Sequence, residues 1–447
     1  NATLTIIDSG AEYVDGVLRK YGSITSQNTA TSEKGGGLYI DDGGTVELTA
    51  GALLECAASK NGGGVYVAYG GKLHMTGDSM IQSCKAPAGG GMYIELGGIA
   101  TMDGGRISSC TASREGDAYG GGVYLESPTS RHDETMPYGF RMTGGTIQNC
   151  SASSDTGSAY GGGVYISGFS GSIFEMAGGS IENCKVIGSD KACGGGVYLN
   201  GYDDKFTMTA GTITGCTAQC ENKEYGAYGG GVYAKANSVF EMKGGSIDGT
   251  CTSYRGNGKD NGGLYLWMAT MLAHGGTVDC TVLNQEGTIK IDENPSSITT
   301  FNDAVINDQG DISGGTFNRA VDNGTNSTLA STISGGTFYG SVINGKRSEI
   351  SGGTFHGTVT NEADNWPGGH IGTIGGGSFD ETPYGAFTVT FDVRGGTPVP
   401  KPQVRVNALA TAPNPDPTKD DQKFLGWYTD SECTQRYGFT DEFKERI

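Results

Sequence analysis

The residues of this 447-residue chain that could do chemistry are eleven cysteines, five histidines and acid pairs such as Asp41-Asp42 and Asp203-Asp204. No cysteine pair has Cys-x-x-Cys spacing and no histidine pair His-x-x-x-His spacing, so a zinc site is not expected. Paired carboxylates could serve glycoside hydrolysis. Both acid pairs, however, follow a tyrosine-containing strand at a turn, where turn chemistry accounts for them. The glycine runs lack the Lys-Ser/Thr of a phosphate loop, and the calcium-binding Gly-Gly-x-Gly-x-Asp nonapeptide is absent. The expectation is therefore no catalytic residue, no metal and no cofactor.

Eight of the cysteines, Cys56, Cys84, Cys110, Cys150, Cys184, Cys216, Cys251 and Cys280, recur within a repeat. Its first phrase is a glycine run followed by an apolar–Tyr–apolar triplet, as in Gly120 to Leu125. Its second is Met-x-Gly-Gly-x-Ile-x-x-Cys, as in Met142 to Cys150. The phrase tyrosines stand at 39, 66, 93, 124, 165, 198, 233 and 265, and such a period marks a solenoid whose coils bury their apolar faces by stacking. Strands alternate faces. In Val123-Tyr124-Leu125 the aliphatics must point inward and the tyrosine outward, and in Phe140-Arg141-Met142 the Phe and Met point inward. Same-slot cysteines then form a ladder with near-parallel side chains, a geometry that disfavours disulfides and suits packed thiols. Cys193 and Cys220 fall outside the ladder, in loops of adjacent coils. They are the pair placed either to bridge or to remain thiols.

After Cys280 the coil shortens. The phrase Ile-Ser-Gly-Gly-Thr-Phe, first at Ile312 to Phe317, alternates with Val-x-Asn, as at Val305 to Asn307 and Val321 to Asn323. The recurring asparagine predicts a buried amide ladder. Together the two signatures resemble the right-handed parallel β-helix family, pectate-lyase-like in architecture, from about residue 25 to 382. The resemblance, with the general preference for right-handed crossovers, implies the handedness. About thirteen coils at ~4.8 Å each give a rod on the order of 60 Å long.

From about Tyr384 the repeats stop. Val389-Thr390-Phe391-Asp392, Gly395-Gly396, Pro415-Asp416-Pro417-Thr418-Lys419 and Gly426-Trp427-Tyr428-Thr429-Asp430 with Cys433-Thr434 resemble, in order and spacing, the internalin-type B repeat (the Listeria–Bacteroides repeat). That resemblance implies a small β-grasp-like extracellular module. Its usual last strand is missing at Ile447, which reads as a piece of a longer protein. The fold class expected is thus all-β, in three parts. Residues 1–24, with Leu4, Ile6, Ile7, Val14, Val17 and Leu18, form an N-terminal cap. Residues 25–383 form the β-helix, and 384–447 a truncated B-repeat module.

The formal charge is −19, and 40 acidic against 22 basic residues leave −18 on the part before the module. Such a surface repels nucleic acid and anionic membranes. No stretch approaches a transmembrane span. Loops between each ladder cysteine and the next glycine run lengthen along the chain, and in-register stacking gathers them on one edge. Three end in Ala-Tyr-Gly-Gly-Gly, at Tyr119, Tyr160 and Tyr228. With Arg114, Arg255 and Glu224 these tyrosines are the candidate ligand-binding residues; the alternative is that they only shield the sheet behind them. The expected role is that of an extracellular, monomeric bacterial cell-surface adhesin or stalk, cell-wall attached or secreted, binding a neutral glycan or host protein. The rival is a carbohydrate-active enzyme, a polysaccharide lyase or glycoside hydrolase, using the same loop face. Ice binding ranks third, since the outward positions hold no sustained Thr-x-Thr lattice.

Overall fold

In the computed structural model the described residues run from 3 to 436. They exclude 7–11, 15–16, 21–22, 28, 31, 127–138, 168–170, 202, 221–225, 256–257, 260–261, 292–296, 326, 365–369, 390, 401–402, 407–411, 421, 429–432 and 434–435. Among them every regular element is a strand, and none is a helix that could cross a membrane. The chain folds as an all-β parallel solenoid. Tyr66 pairs in register with Tyr39 on one side and Tyr93 on the other, and the same parallel match carries on through Tyr124, Tyr165, Tyr198, Tyr233 and Tyr265. These strands belong to a fifteen-stranded sheet that forms one face of the rod. A twenty-four-stranded sheet wraps the remaining faces. In its middle coils two short strands merge into long ones such as Ile173–Glu182 and Lys205–Thr214.

Period-two alternation sets the lumen. Phe140, Met142, Ile147, Cys150, Val123 and Leu125 all turn inward and are buried, and the same slots are buried in coil after coil. Phe140, Phe174, Phe206 and Phe240 stack with ring centroids 4.9–5.1 Å apart. Each fully buried aliphatic or methionine contributes about 1.5–3 kcal/mol, so a coil is stable only with its neighbours in place.

The glycine run allows that stacking. A Cβ on Gly122 would meet the Gly163 carbonyl oxygen at 2.6 Å and Ile147 at 2.9 Å, so any side chain there would push coils apart. Just before each ladder cysteine from Cys56 to Cys216 the backbone turns left-handed: Glu55, Ser83, Ser109, Asn149 and Asn183 have φ of 49–56°, and Gly215 62°. That corner aims the next side chain inward. Cys150 Sγ then donates to the Gln148 carbonyl at 3.4 Å and reaches the Ile107 carbonyl of the preceding coil at 3.7 Å. All eight ladder cysteines are free, buried thiols. For Cys110 and Cys150, burial first pushes the thiol far above its ordinary range.

In the shorter coils the asparagines form the expected ladder. Asn284, Asn307, Asn323 and Asn344 each donate Nδ2 to the next asparagine's Oδ1 at 2.7–2.8 Å, ending on Asn361. Phe301, Phe317, Phe338, Phe355 and Phe379 stack beside them at 4.7–4.8 Å.

At the start, strands Thr3–Ile6 and Ser23–Thr25 lie in parallel register on Thr45–Leu48 and Ala52–Leu54. Leu4 and Ile24 are exposed there. At the other end, strand Tyr384–Val389 pairs in parallel with Val359–Asn361, matching Asn361 to Gly385. It then pairs antiparallel with Gln403–Val406. One strand thus closes the rod's tyrosine-side sheet and opens the C-terminal segment. In that segment Trp427 packs against Phe391 and Phe424, at 5.0 and 5.4 Å.

Candidate functional site

The loops after the ladder cysteines, expected to stack in register on one edge as a contiguous surface, form two further parallel sheets, a flange laid along the rod. The outgoing strands Thr111–Ser113, Ser151–Ser154, Lys185–Gly188, Thr217–Cys220 and Thr252–Arg255 stack in one sheet. The returning strands Ala118–Tyr119, Ala159–Tyr160, Ala192–Cys193 and Ala227–Tyr228 stack in the other. Their facing side chains are Ala112, Ala152, Val186 and Ala218 against Ala118, Ala159, Ala192 and Ala227, fully buried as a second, narrow core. Only small residues fit between backbones that lie so close. The signal was in the sequence: the second residue after Cys110, Cys150, Cys184 and Cys216 is Ala or Val.

Alternation along each returning strand sends the residue after the alanine the other way, towards the rod. Tyr119, Tyr160, Cys193 and Tyr228 therefore share one register column. Their rings meet the phrase tyrosines: Tyr119 lies 5.0 Å from Tyr165, Tyr160 5.0 Å from Tyr198 and Tyr228 4.9 Å from Tyr265. The phrase tyrosines do point out of the lumen, as their alternation requires, but most are not at the surface. Tyr66, Tyr93, Tyr165, Tyr198, Tyr233 and Tyr265 are buried, stacked at 4.5–5.4 Å down the rod, whereas Tyr39 at the column's start is 50% exposed. The physical reason is the second layer, contributed by other segments of the chain, which covers the middle of the column.

The candidate tyrosines are thus brought together, half-buried, with one face on the column and the remainder open. Burial, and then Asp117, pushes the Tyr119 phenol up to about 12, and its hydroxyl donates to Asp117 at 3.3 Å. Tyr119 and Tyr160, both raised above the ordinary phenol range, remain neutral near pH 7 and offer an apolar edge with a hydroxyl. Arg114 stands exposed at the flange tip. Arg255 ends the last outgoing strand, matched to Cys220, and pairs with Gly258 in a closing hairpin. Glu224 lies outside the described residues. Cys193 and Cys220 lie on different sheets with no disulfide between them. Cys193 joins the tyrosine layer, where burial pushes its thiol up to about 12. Cys220 sits in the alanine core with Sγ 3.1 Å from the Asp190 carbonyl.

One cluster escaped the sequence reading. Glu241, outward on Val239–Ile247, is 5% exposed, yet Lys205 Nζ lies 2.7 Å and Lys243 Nζ 2.9 Å from its carboxylate. Thr207 donates to it at 3.3 Å, and His274 Nδ1 lies 3.6 Å away. Burial opposes the charge, but the two lysines outweigh it and hold the group at about 2. It is a fixed anion rather than a proton donor. Lys205 stands 36 residues before Glu241, so only the coil register reveals the contact. Among the described residues no set of three His, Cys, Asp or Glu side chains gathers as a metal-holding group.

The fold defined by these observations is a parallel β-helix carrying a flange. Residues 387–446 match the family model of the Listeria-Bacteroides repeat domain. No curated protein and no solved structure matches the chain.

Proposed function

We propose that the chain is a segment of a bacterial cell-surface protein, extracellular and either secreted or attached to the wall. In this reading residues 1–24 cap a β-helical stalk at 25–383, and a B-repeat module at 384–447 extends it. The carrying observation is the uninterrupted passage from the rod's sheet into a segment that matches a repeat domain of bacterial surface proteins. The stalk acts as a monomeric adhesin that binds a neutral glycan or a host protein along the flange. Register supports this, since it sets the open edges of Tyr119, Tyr160 and Tyr228 in one line on a rigid support.

A glycan-array and polysaccharide-digestion screen on residues 1–447 tests the reading. Retained glycan or host-protein ligand without product release is the expected result. Replacing the three tyrosines by Ala should then abolish capture, whereas Phe replacements keep the packing and lose only hydroxyl contacts. Undiminished binding by a folded Ala variant would exclude the flange. Release of oligosaccharide products would instead make the protein a carbohydrate-active enzyme.

A further inference from the structure

His74 lies on the outward side of strand Lys72–Met75, in register with Glu47 on Thr45–Leu48. Its Nδ1 is 2.7 Å from Glu47 Oε2, and its Nε2 is 2.9 Å from Asp103 Oδ2, one residue past strand Ile99–Met102. Both partners are carboxylates, which when ionised only accept hydrogen bonds. A neutral imidazole has one N–H and would turn a lone pair towards one of them. The geometry is therefore that of an imidazolium donating from both nitrogens to the coils on either side.

We propose that His74 is a proton-operated clasp across three successive N-terminal coils, closed when the ring is charged and released when it loses its proton. Among the described residues, Glu47 and Asp103 are the charges acting on the ring. Lys72 stands two residues back on the same strand. Behind Asp103, the Thr143 hydroxyl donates to its carboxylate and Arg141 adds positive charge. Partial burial opposes the imidazolium, but the hydrogen bonds to Asp103 and Glu47 outweigh it and raise the pKa above its ordinary value. Asp103 is lowered, by Thr143 first and then by His74. A raised histidine stabilises below its unfolded pKa and loses that contribution as pH rises through the folded one. A lowered aspartate loses its contribution as pH falls through its folded value. The clasp is thus strongest in mild acid, and it opens towards neutral and alkaline pH. The ring is about one-third exposed, so solvent screening moderates its strength. His356, by contrast, engages one carboxylate, Asp380, and stacks on Tyr339. Opening would loosen the rod at its start and leave the later coils closed, since each coil contacts only its neighbours.

The test is hydrogen exchange on the full chain, corrected for intrinsic rates, together with NMR titration of the His74 ring. The expected ring midpoint lies above ~6.5. Protection in 45–48, 72–75 and 99–102 should fall through that midpoint, by up to about tenfold for each unit the pKa is raised. Protection across 305–361 should stay level. His74→Gln should flatten the response, and Glu47→Gln should lower the midpoint in a chain that keeps its histidine. A midpoint at or below ~6.5 in the wild-type chain, or an unchanged pH response in His74→Gln, would overturn the proposal.

Discussion

Asn323 donates its side-chain amide to Oδ1 of Asn344 at 2.8 Å, and both residues are sealed inside the rod. Asn323 also accepts from Asn307 at 2.8 Å, so each amide in the middle of the ladder serves the coil before and the coil after. Asn323→Ala should cost about 2–4 kcal/mol, because it strands a donor on one neighbour and an acceptor on the other. Asn284 heads the ladder, and its Oδ1 has no partner among the described residues. Asn284→Ala should therefore cost less, and urea midpoints of the two variants compare them directly.

The thiol ladder predicts a sharp contrast in labelling. Cys433 is exposed and should react in the native protein, whereas Cys56 through Cys280 should react only after denaturation. Cys150→Ser should destabilise by about 1–3 kcal/mol, since the hydroxyl is more polar than the thiol it replaces in an apolar column. Mass spectrometry of pulse-labelled peptides reads both. Rapid native labelling of Cys110 or Cys150 would contradict the inward ladder.

The left-handed corner before the cysteines from Cys56 to Cys216 is occupied in all but one coil by residues with a Cβ. Ser109 has φ 54°, a conformation that costs an L-residue roughly 1–2 kcal/mol. Ser109→Gly should raise stability by up to about 1 kcal/mol, the gain being partly offset by glycine's freedom in the unfolded chain. Gly215→Ala should do the opposite, because its Cβ would run into the Asn183 side chain. Thermal midpoints of the two variants should move in opposite directions.

Much of this fold was legible because period-two alternation and a repeated phrase leave little freedom. Phe140 and Met142 had to face inward, and the cysteines had to share a slot. The burial of Tyr165 and Tyr198 was not legible, since it depends on Tyr119 and Tyr160, which arrive from other coils. Nor was the Glu241 cluster, because no local pattern links residues 205, 241 and 274.

Glu241 gives a pH prediction of opposite sign to that for His74. Its carboxylate is held at about 2, so the stability it confers is fully present above the ordinary carboxylate range and is lost as pH falls towards 2. Glu241→Ala should cost about 1–2 kcal/mol at pH 7, a figure discounted because Lys205 and Lys243 are 39% and 49% exposed. The difference between variant and parent should vanish near pH 2. A constant difference across the whole range would show that packing, not charge, is responsible.

Removing residues 1–24 should lower the melting temperature and expose the apolar ends of Thr45–Leu48 and Ala52–Leu54, on which strands Thr3–Ile6 and Ser23–Thr25 now lie. A soluble monomer with an unchanged melting temperature would remove the cap from the proposed domain division.

The strand shared at Asn361 and Gly385 bears on how this molecule would carry load. Backbone hydrogen bonds between stacked coils run along the rod, across the strands they join. Tension applied through the C-terminal segment would enter by the Asn361–Gly385 pairing and act on the coil interfaces in series, as on the teeth of a zipper. The weakest interface would yield first, and others would follow one coil at a time. A coil such as that between Tyr39 and Tyr66 would release 27 residues, on the order of 90 Å of chain. Under a steady pull the rod would therefore lengthen in steps, one coil at a time.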